Sequence, residues 1–277
     1  MKTISENVEP TEKVTTTGSC PIIVGGCHRS GTSLVRRILN AHSRIYCGPE
    51  VKFFRDFYND YFKDPIRHLR FATTARAVLP EEEVLEVLGG AFIELHKRAA
   101  AKHSKARWAD KNPENVLYLN QWSQLLGDNW VFVHVVRNPL DTIASMKESK
   151  FPLTIPSELD DRIAFYLRYN QSGLEFEKHA PQRYFRLVYD VLVNQPEKAI
   201  DELMGWLGES FEPVQVTFNS VTHVLGMEDP KVGETAGVHN TSVDRWKTIL
   251  TDEESKRISV VCDPFWQQVS GVPLTVA

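Results

Sequence analysis

Short runs rich in Ile, Val, Phe or Tyr alternate along the chain with longer stretches in which apolar residues return every three or four positions. The short runs fall at about 21–25, 44–47, 107–110, 130–136 and 184–189 and read as strands. Because helical stretches separate them, the pattern predicts an α/β fold of three layers, a roughly five-stranded parallel sheet flanked by helices on both faces. Local signals mark several helices. Leu34, Val35, Ile38 and Leu39 recur at helical spacing directly after the first run. Pro113 and Pro139 each follow an asparagine, so Asn112 and Asn138 read as N-caps with proline in the first turn; Val116, Leu117, Leu119 and Trp122 continue the first of these helices. The Glu81-Glu82-Glu83 run reads as an acidic, solvent-facing helix start favoured by the dipole. In an open α/β sheet, ligands bind beyond the carboxyl ends of the strands, and the unusual polar clusters of this chain all fall at such ends.

Composition narrows the class. A chain of 277 residues, 42% hydrophobic and 25% charged, suffices for one large domain, and no Pro/Gly-rich linker divides it. The expected layout is a polar, Thr-rich, disordered lead-in over 1–19, then a single domain over 20–277 with a helical insertion at about 51–106. No uninterrupted apolar run reaches the ~18 residues of a membrane span, so a soluble protein is expected. A formal charge of −4 without an aromatic-basic stripe opposes a nucleic-acid partner. Cys20, Cys27, Cys47 and Cys262 form no C-x-x-C pair and suit free thiols in a reducing, cytoplasmic setting. His28, His134, His223 and His239 have no metal-ligand spacing, so no metal is expected. Trp108, Trp122, Trp130 and Trp206 are assigned to packing.

The chemistry begins at Ile22-Ile23-Val24-Gly25-Gly26-Cys27-His28-Arg29-Ser30-Gly31-Thr32-Ser33, an apolar strand running into a glycine-rich turn that opens a helix. Gly26 and Gly31 stand where a G-x-x-x-x-G-K-[ST] loop has its glycines and Ser33 stands at its hydroxyl, but Thr32 replaces the lysine. Backbone N–H groups and a helix N-terminus still favour an anion. The missing lysine, and Arg29 in front of the second glycine, point away from ordinary ATP hydrolysis. A second cation, Arg137, stands at the tip of the 130–136 run, where an NTP-hydrolysing loop protein usually has a Mg²⁺-holding aspartate, and Ser145 lies two turns into the next helix. An arginine and a hydroxyl so placed can grip a second phosphate; an ordinary surface ion pair is the equal alternative.

Taken together, these segments resemble the sulfotransferase family. Gly25 to Ser33 is similar to its 5′-phosphosulfate loop, and Val136-Arg137-Asn138-Pro139 through Ser145 to its 3′-phosphate segment. Leu187-Val188-Tyr189-Asp190 resembles its Tyr-Glu-Asp-Leu segment, departing at Asp190-Val191, and Ser242-Val243-Asp244-Arg245-Trp246 resembles its C-terminal Arg/Lys-Trp loop. The resemblance runs over about 20–265. It is nearest to the branch with a catalytic glutamate that includes tyrosylprotein and many bacterial sulfotransferases.

That resemblance implies 3′-phosphoadenosine 5′-phosphosulfate (PAPS) as donor, with Arg29, Ser30, Gly31, Thr32 and Ser33 around its 5′ end. It also implies Arg137 and Ser145 on the 3′-phosphate, Tyr189 near the adenosine and Ser242 closing over the phosphosulfate. Glu50, beyond the second strand, is implied as general base; by sequence alone it reads equally as a solvated carboxylate, and His42 is the competing base. Lys111, between a strand and Asn112-Pro113, resembles the lysine that stabilises the leaving group, a task Arg29 can share, against the alternative of a surface amine. A sulfuryl group carries less charge than a phosphoryl group, so such cations and amides can serve without a metal.

Gly226, Gly233 and Gly237 suggest a mobile cover over 226–241. The acceptor is a hydroxyl of a small molecule, sugar, lipid or peptide tyrosine, with specificity expected in 51–106 and also in 146–172. Phe53, Phe54, Phe57, Tyr58, Tyr61, Phe62 and Phe71 either line its pocket or form helix core, with core the commoner use. An ATP/Mg²⁺-dependent kinase and a non-catalytic nucleotide-binding protein are the alternatives. Nothing in the pattern specifies an oligomeric state.

Overall fold

The computed structural model describes residues 20–58, 70–149, 151, 154–224 and 226–274. The expected lead-in over 1–19 and the aromatic residues Tyr61 and Phe62 lie outside them.

Five parallel strands form one sheet: β1 Ile22–Gly26, β2 Ile45–Cys47, β3 Arg107–Lys111, β4 Val131–Val136 and β5 Tyr184–Val188, in the order β2-β3-β1-β4-β5. In the central pair Ile22 stands opposite Val131 and Gly26 opposite Val135. Alternate residues of these strands point to opposite faces, and both faces are covered, which is why the runs are apolar throughout. Ile22, Val24, Val131, Val133 and Val135 pack with Val35, Ile38 and Leu39 of the helix Thr32–Ala41 and with Leu203 of the helix Pro196–Leu207. Ile23, Phe132 and Val136 face the other way, onto Trp122, Ile143, Tyr166 and Trp266. The helices thus make the outer two layers of the expected three.

The insertion contributes core. Phe53 stacks on Phe92 of the helix Glu81–Lys102 with centroids 4.6 Å apart, and Phe54 packs on Tyr118 and Trp122. Phe71 is exposed. Trp108, Trp122 and Trp130 are buried, and Trp206 packs on Phe185. One local expectation is corrected. Asn138 caps its helix, its Oδ1 accepting from the Leu140 N–H at 2.9 Å; Asn112 stands at the N-cap position with Pro113 in the first turn, as expected, but makes no side-chain cap bond. Its Nδ2 donates to Asp110 Oδ2 at 2.9 Å and to the Val51 carbonyl at 3.1 Å, and the expected helix is split, with a 3-10 turn over Pro113–Leu117 and an α-helix from Leu119.

Candidate active site

The turn after β1 is shaped by positive backbone angles. Gly26 has φ 154°, and a Cβ there would stand 2.3 Å from the Val135 carbonyl oxygen. Gly31 has φ 95°, and its added Cβ would meet the Tyr189 ring at 2.4 Å. Between them Arg29, with φ 70°, occupies the left-handed region that non-glycine residues rarely adopt. The helix opens directly at Thr32, so the first-turn amides around Thr32 and Ser33 lack intrahelical acceptors at the carboxyl edge of the sheet. Ser30 Oγ is buried with no hydrogen-bond partner among the described residues.

Arg137 and Ser145 come to the same loop. Arg137 donates through Nη1 to the Arg29 carbonyl at 3.0 Å and through Nη2 to the Ser242 carbonyl, while its guanidinium lies 4.6 Å from the Tyr189 ring centroid. Its Nε has no hydrogen-bond partner among the described residues. Arg29 Nε donates to Ser145 Oγ at 3.1 Å. Asp141, in the first turn of the helix that carries Ser145, accepts from the Asp244 N–H at 2.9 Å and the Trp246 N–H at 3.1 Å, tying the Ser242 loop down. Burial raises the Asp141 carboxyl above its ordinary range despite Arg137 and these bonds. Arg29, Gly31, Arg137, Ser145, Tyr189 and Ser242 line a cavity of about 80 Å³.

Glu50 and Lys111 meet on the far side of the loop. Lys111 Nζ donates to Glu50 Oε1 and, at 3.1 Å, to Ser33 Oγ; Glu50 Oε2 lies 2.6 Å from Lys52 Nζ. Lys52 also reaches Glu114 at 3.3 Å, which accepts from Arg55 and stands 3.2 Å from His28 Nε2. Burial pushes the Glu50 carboxyl upward, but Lys111 and Lys52 outweigh it and hold the group below its ordinary value. Glu114 is held well below: its burial is outweighed by Lys52, His28 and Arg55. Burial lowers His28 in spite of Glu114, so its imidazole is neutral at pH 7. Glu50, Lys52, His28, Phe151, Thr154 and Met227 are among the residues that line a second cavity of about 280 Å³. Arg29, Gly31, Asp229 and Val232 line both cavities.

The structure therefore gathers the residues singled out in the sequence into two adjoining groups, with Arg29 and Gly31 common to both. Ser30 and Lys111 are buried and line neither cavity; nor does His42, whose buried ring meets the Ser210 carbonyl at 3.1 Å. The 226–241 stretch contributes Met227, Asp229 and Val232 to the cavities and is tied to the loop helix. Glu228 accepts from Arg36 and Arg37, Arg36 donates to the Val224 carbonyl at 2.7 Å, and the Glu50 N–H donates to the Met227 carbonyl at 3.1 Å. Lys52, Glu114 and Asp229 join the site without a clear mark in the sequence. Lys52 had a weak signal, a cation two residues past Glu50, and Glu114 another, an acid in the first turn after Asn-Pro; Asp229 had none. The second cavity draws on Phe151, Thr154 and Ile155 within 146–172, and on Lys52 at the edge of the insertion, whereas the insertion's described aromatics mostly pack inward. Among the described residues no group of three or more His, Cys, Asp or Glu could hold a metal ion, and no helix is long and apolar enough to cross a membrane.

The class that this fold and loop define is matched directly: the chain belongs to the sulfotransferase family, whose family model matches residues 21–213. A Caenorhabditis briggsae protein named "Putative protein-tyrosine sulfotransferase" is 28% identical over 194 residues, 67% of this chain and 64% of its own length. The chain thus spans less than two thirds of that relative. Among solved structures, a sulfotransferase domain from the curacin biosynthetic pathway aligns with TM-score 0.61 at 20% identity, over 87% of this chain and 96% of its own. Mouse sulfotransferase SULT7A1, solved in complex with PAP, aligns with TM-score 0.50 at 12% identity, over 92% and 86%. At such identities the two structures establish the fold.

Proposed function

We propose that residues 20–277 act as one domain that transfers a sulfuryl group from PAPS to an alcohol or phenol hydroxyl, a peptide tyrosine included. The observation that carries this reading is the junction of the two cavities at Arg29 and Gly31. One side offers Arg137, Ser145, Tyr189 and Ser242 to a 3′-phosphorylated nucleoside; the other offers Glu50 to an acceptor. The buried, unpartnered Ser30 Oγ and Arg137 Nε suit an anionic ligand with many acceptor oxygens, since buried polar groups are ordinarily satisfied. The mouse neighbour's PAP complex and the nematode relative's name support the same donor and acceptor classes. Four buried free cysteines fit a reducing, cytoplasmic setting.

The donor supplies an activated sulfur–oxygen bond. Arg137 and Ser145 hold the 3′-phosphate, Tyr189 flanks the adenosine, and Arg29, Ser30, Gly31, Thr32 and Ser33 hold the 5′ end, with Ser242 closing over it. Glu50 takes the acceptor's proton as the acceptor oxygen bonds to sulfur. The bridging bond breaks with its electron pair on the phosphate oxygen, where Lys111 and Arg29 stabilise the charge that develops. Drawing Lys111 toward that oxygen removes one of the two cations on Glu50 and raises its proton affinity as the hydroxyl needs a base. These cations and the loop amides provide the positive charge, and the reading assigns no metal a role.

Calorimetric titration tests the donor. The protein is expected to bind 3′-phosphoadenosine 5′-phosphate without added metal and to bind it about 10- to 100-fold more weakly in Arg137→Ala. Binding of ATP with Mg²⁺ alone would overturn the reading in favour of a kinase.

A further inference from the structure

Asp229 has no part in the transfer described above, yet it stands where the two cavities meet. Its Oδ2 lies 2.9 Å from Arg29 Nη1, and its N–H donates to Ser33 Oγ at 3.2 Å, so it is fixed to the anion loop at two points. It is also one of the residues common to both cavities. A group passed from one cavity to the other crosses beside this carboxylate.

Several of the cations around that crossing face carboxylates. Arg29 is met by Asp229, Lys111 by Glu50, and Lys52 by Glu50 and Glu114. Arg36 and Arg37 behind the loop are met by Glu228. Arg29, the cation common to both cavities, thus has a carboxylate beside it. A terminal group seated there meets amide and hydroxyl donors next to a negative charge, which suits one negative charge better than two. A terminal sulfate carries one; a terminal phosphate carries about 1.5 to 2 at neutral pH. In a partly desolvated site the difference is felt strongly, and repulsion of the wrong ligand is an ordinary source of specificity.

We propose that Asp229 is a specificity-determining residue that selects a terminal sulfuryl group over a terminal phosphoryl group at the donor's 5′ end. The inference rests on the donor reading above. It is tested by measuring affinities of the wild type, Asp229→Asn and Asp229→Glu for PAPS and for 3′-phosphoadenosine 5′-diphosphate, which differ in the terminal group. The wild type is expected to favour PAPS by at least about tenfold. Asp229→Asn should close most of that gap, chiefly by tightening the diphosphate, and Asp229→Glu should preserve it. An unchanged ratio in Asp229→Asn, or equal tightening of both nucleotides, overturns the proposal and leaves Asp229 a plain counter-ion. A wild type that binds neither nucleotide overturns the donor reading itself.

Discussion

The two cavities share Arg29 and Gly31 but hold their cations in opposite ways. On the Arg137 side the guanidinium rests on neutral partners, the carbonyls of Arg29 and Ser242 and the ring of Tyr189. Asp141 and Asp190 lie near enough to feel its charge, but its hydrogen bonds go to no carboxylate. On the Glu50 side Lys111 and Lys52 are matched to carboxylates, and both oxygens of Glu50 are occupied. There the cations act on a proton affinity. The same residue types therefore serve as binding charge in one place and as tuning charge in the other, and the partner decides which.

The sharpest way to break this comparison is Glu50→Ala. Turnover should fall by roughly 10²–10⁴-fold, the usual contribution of a general base, while nucleotide affinity holds or rises because Lys111 and Lys52 lose their counter-ion. Initial rates beside calorimetry check it, and loss of both properties would make Glu50 structural. Arg137→Ala should act in reverse, weakening 3′-phosphoadenosine 5′-phosphate by about 10- to 100-fold, the worth of hydrogen bonds to a charged group. Adenosine 5′-phosphosulfate, which lacks the 3′-phosphate, should be affected far less. Equal losses for the two nucleotides would remove Arg137 from the 3′ site.

Gly31→Ala forces a Cβ against Tyr189 in a left-handed backbone and should cost roughly 1–3 kcal/mol of stability, seen as a lower Tm. An unchanged Tm would show that the ring moves freely. The smallest effect expected is in pH dependence. Glu50 is held below the ordinary 4.5, so its base form persists above that value and the acid limb of kcat/KM lies below it. Removing one cation in Lys52→Met raises the Glu50 pKa and moves the limb upward; a limb that stays in place denies Lys52 its tuning role. The sign for folding is the same. Stability owed to the depressed Glu50 and Glu114 carboxyls is present above their ordinary pKa and is lost as pH falls below it.

All five strands were legible from apolar runs, because a parallel sheet covered on both faces demands them. The loop was equally legible, since Gly26 and Gly31 mark backbone angles that other residues resist. Asn112 and Pro113 do open a helical turn, but the cap bond is absent because Asn112 Nδ2 is committed to Asp110 and Val51, strand and loop partners, and its Oδ1 is left without a partner among the described residues. Asp229 was invisible for a related reason. Its meaning comes from Arg29 and Ser33, some two hundred residues earlier, and no periodicity records such a meeting.

The Tyr189 ring lies against both the Gly31 backbone and the Arg137 guanidinium. For a lineage of such chains this ties three distant codons together. A larger residue at 31 asks for a smaller one at 189, and a smaller one at 189 strips Arg137 of its platform. Drift at any of the three is then open only to variants that change in concert, and a survey of descendants should find these positions moving as a set or standing still.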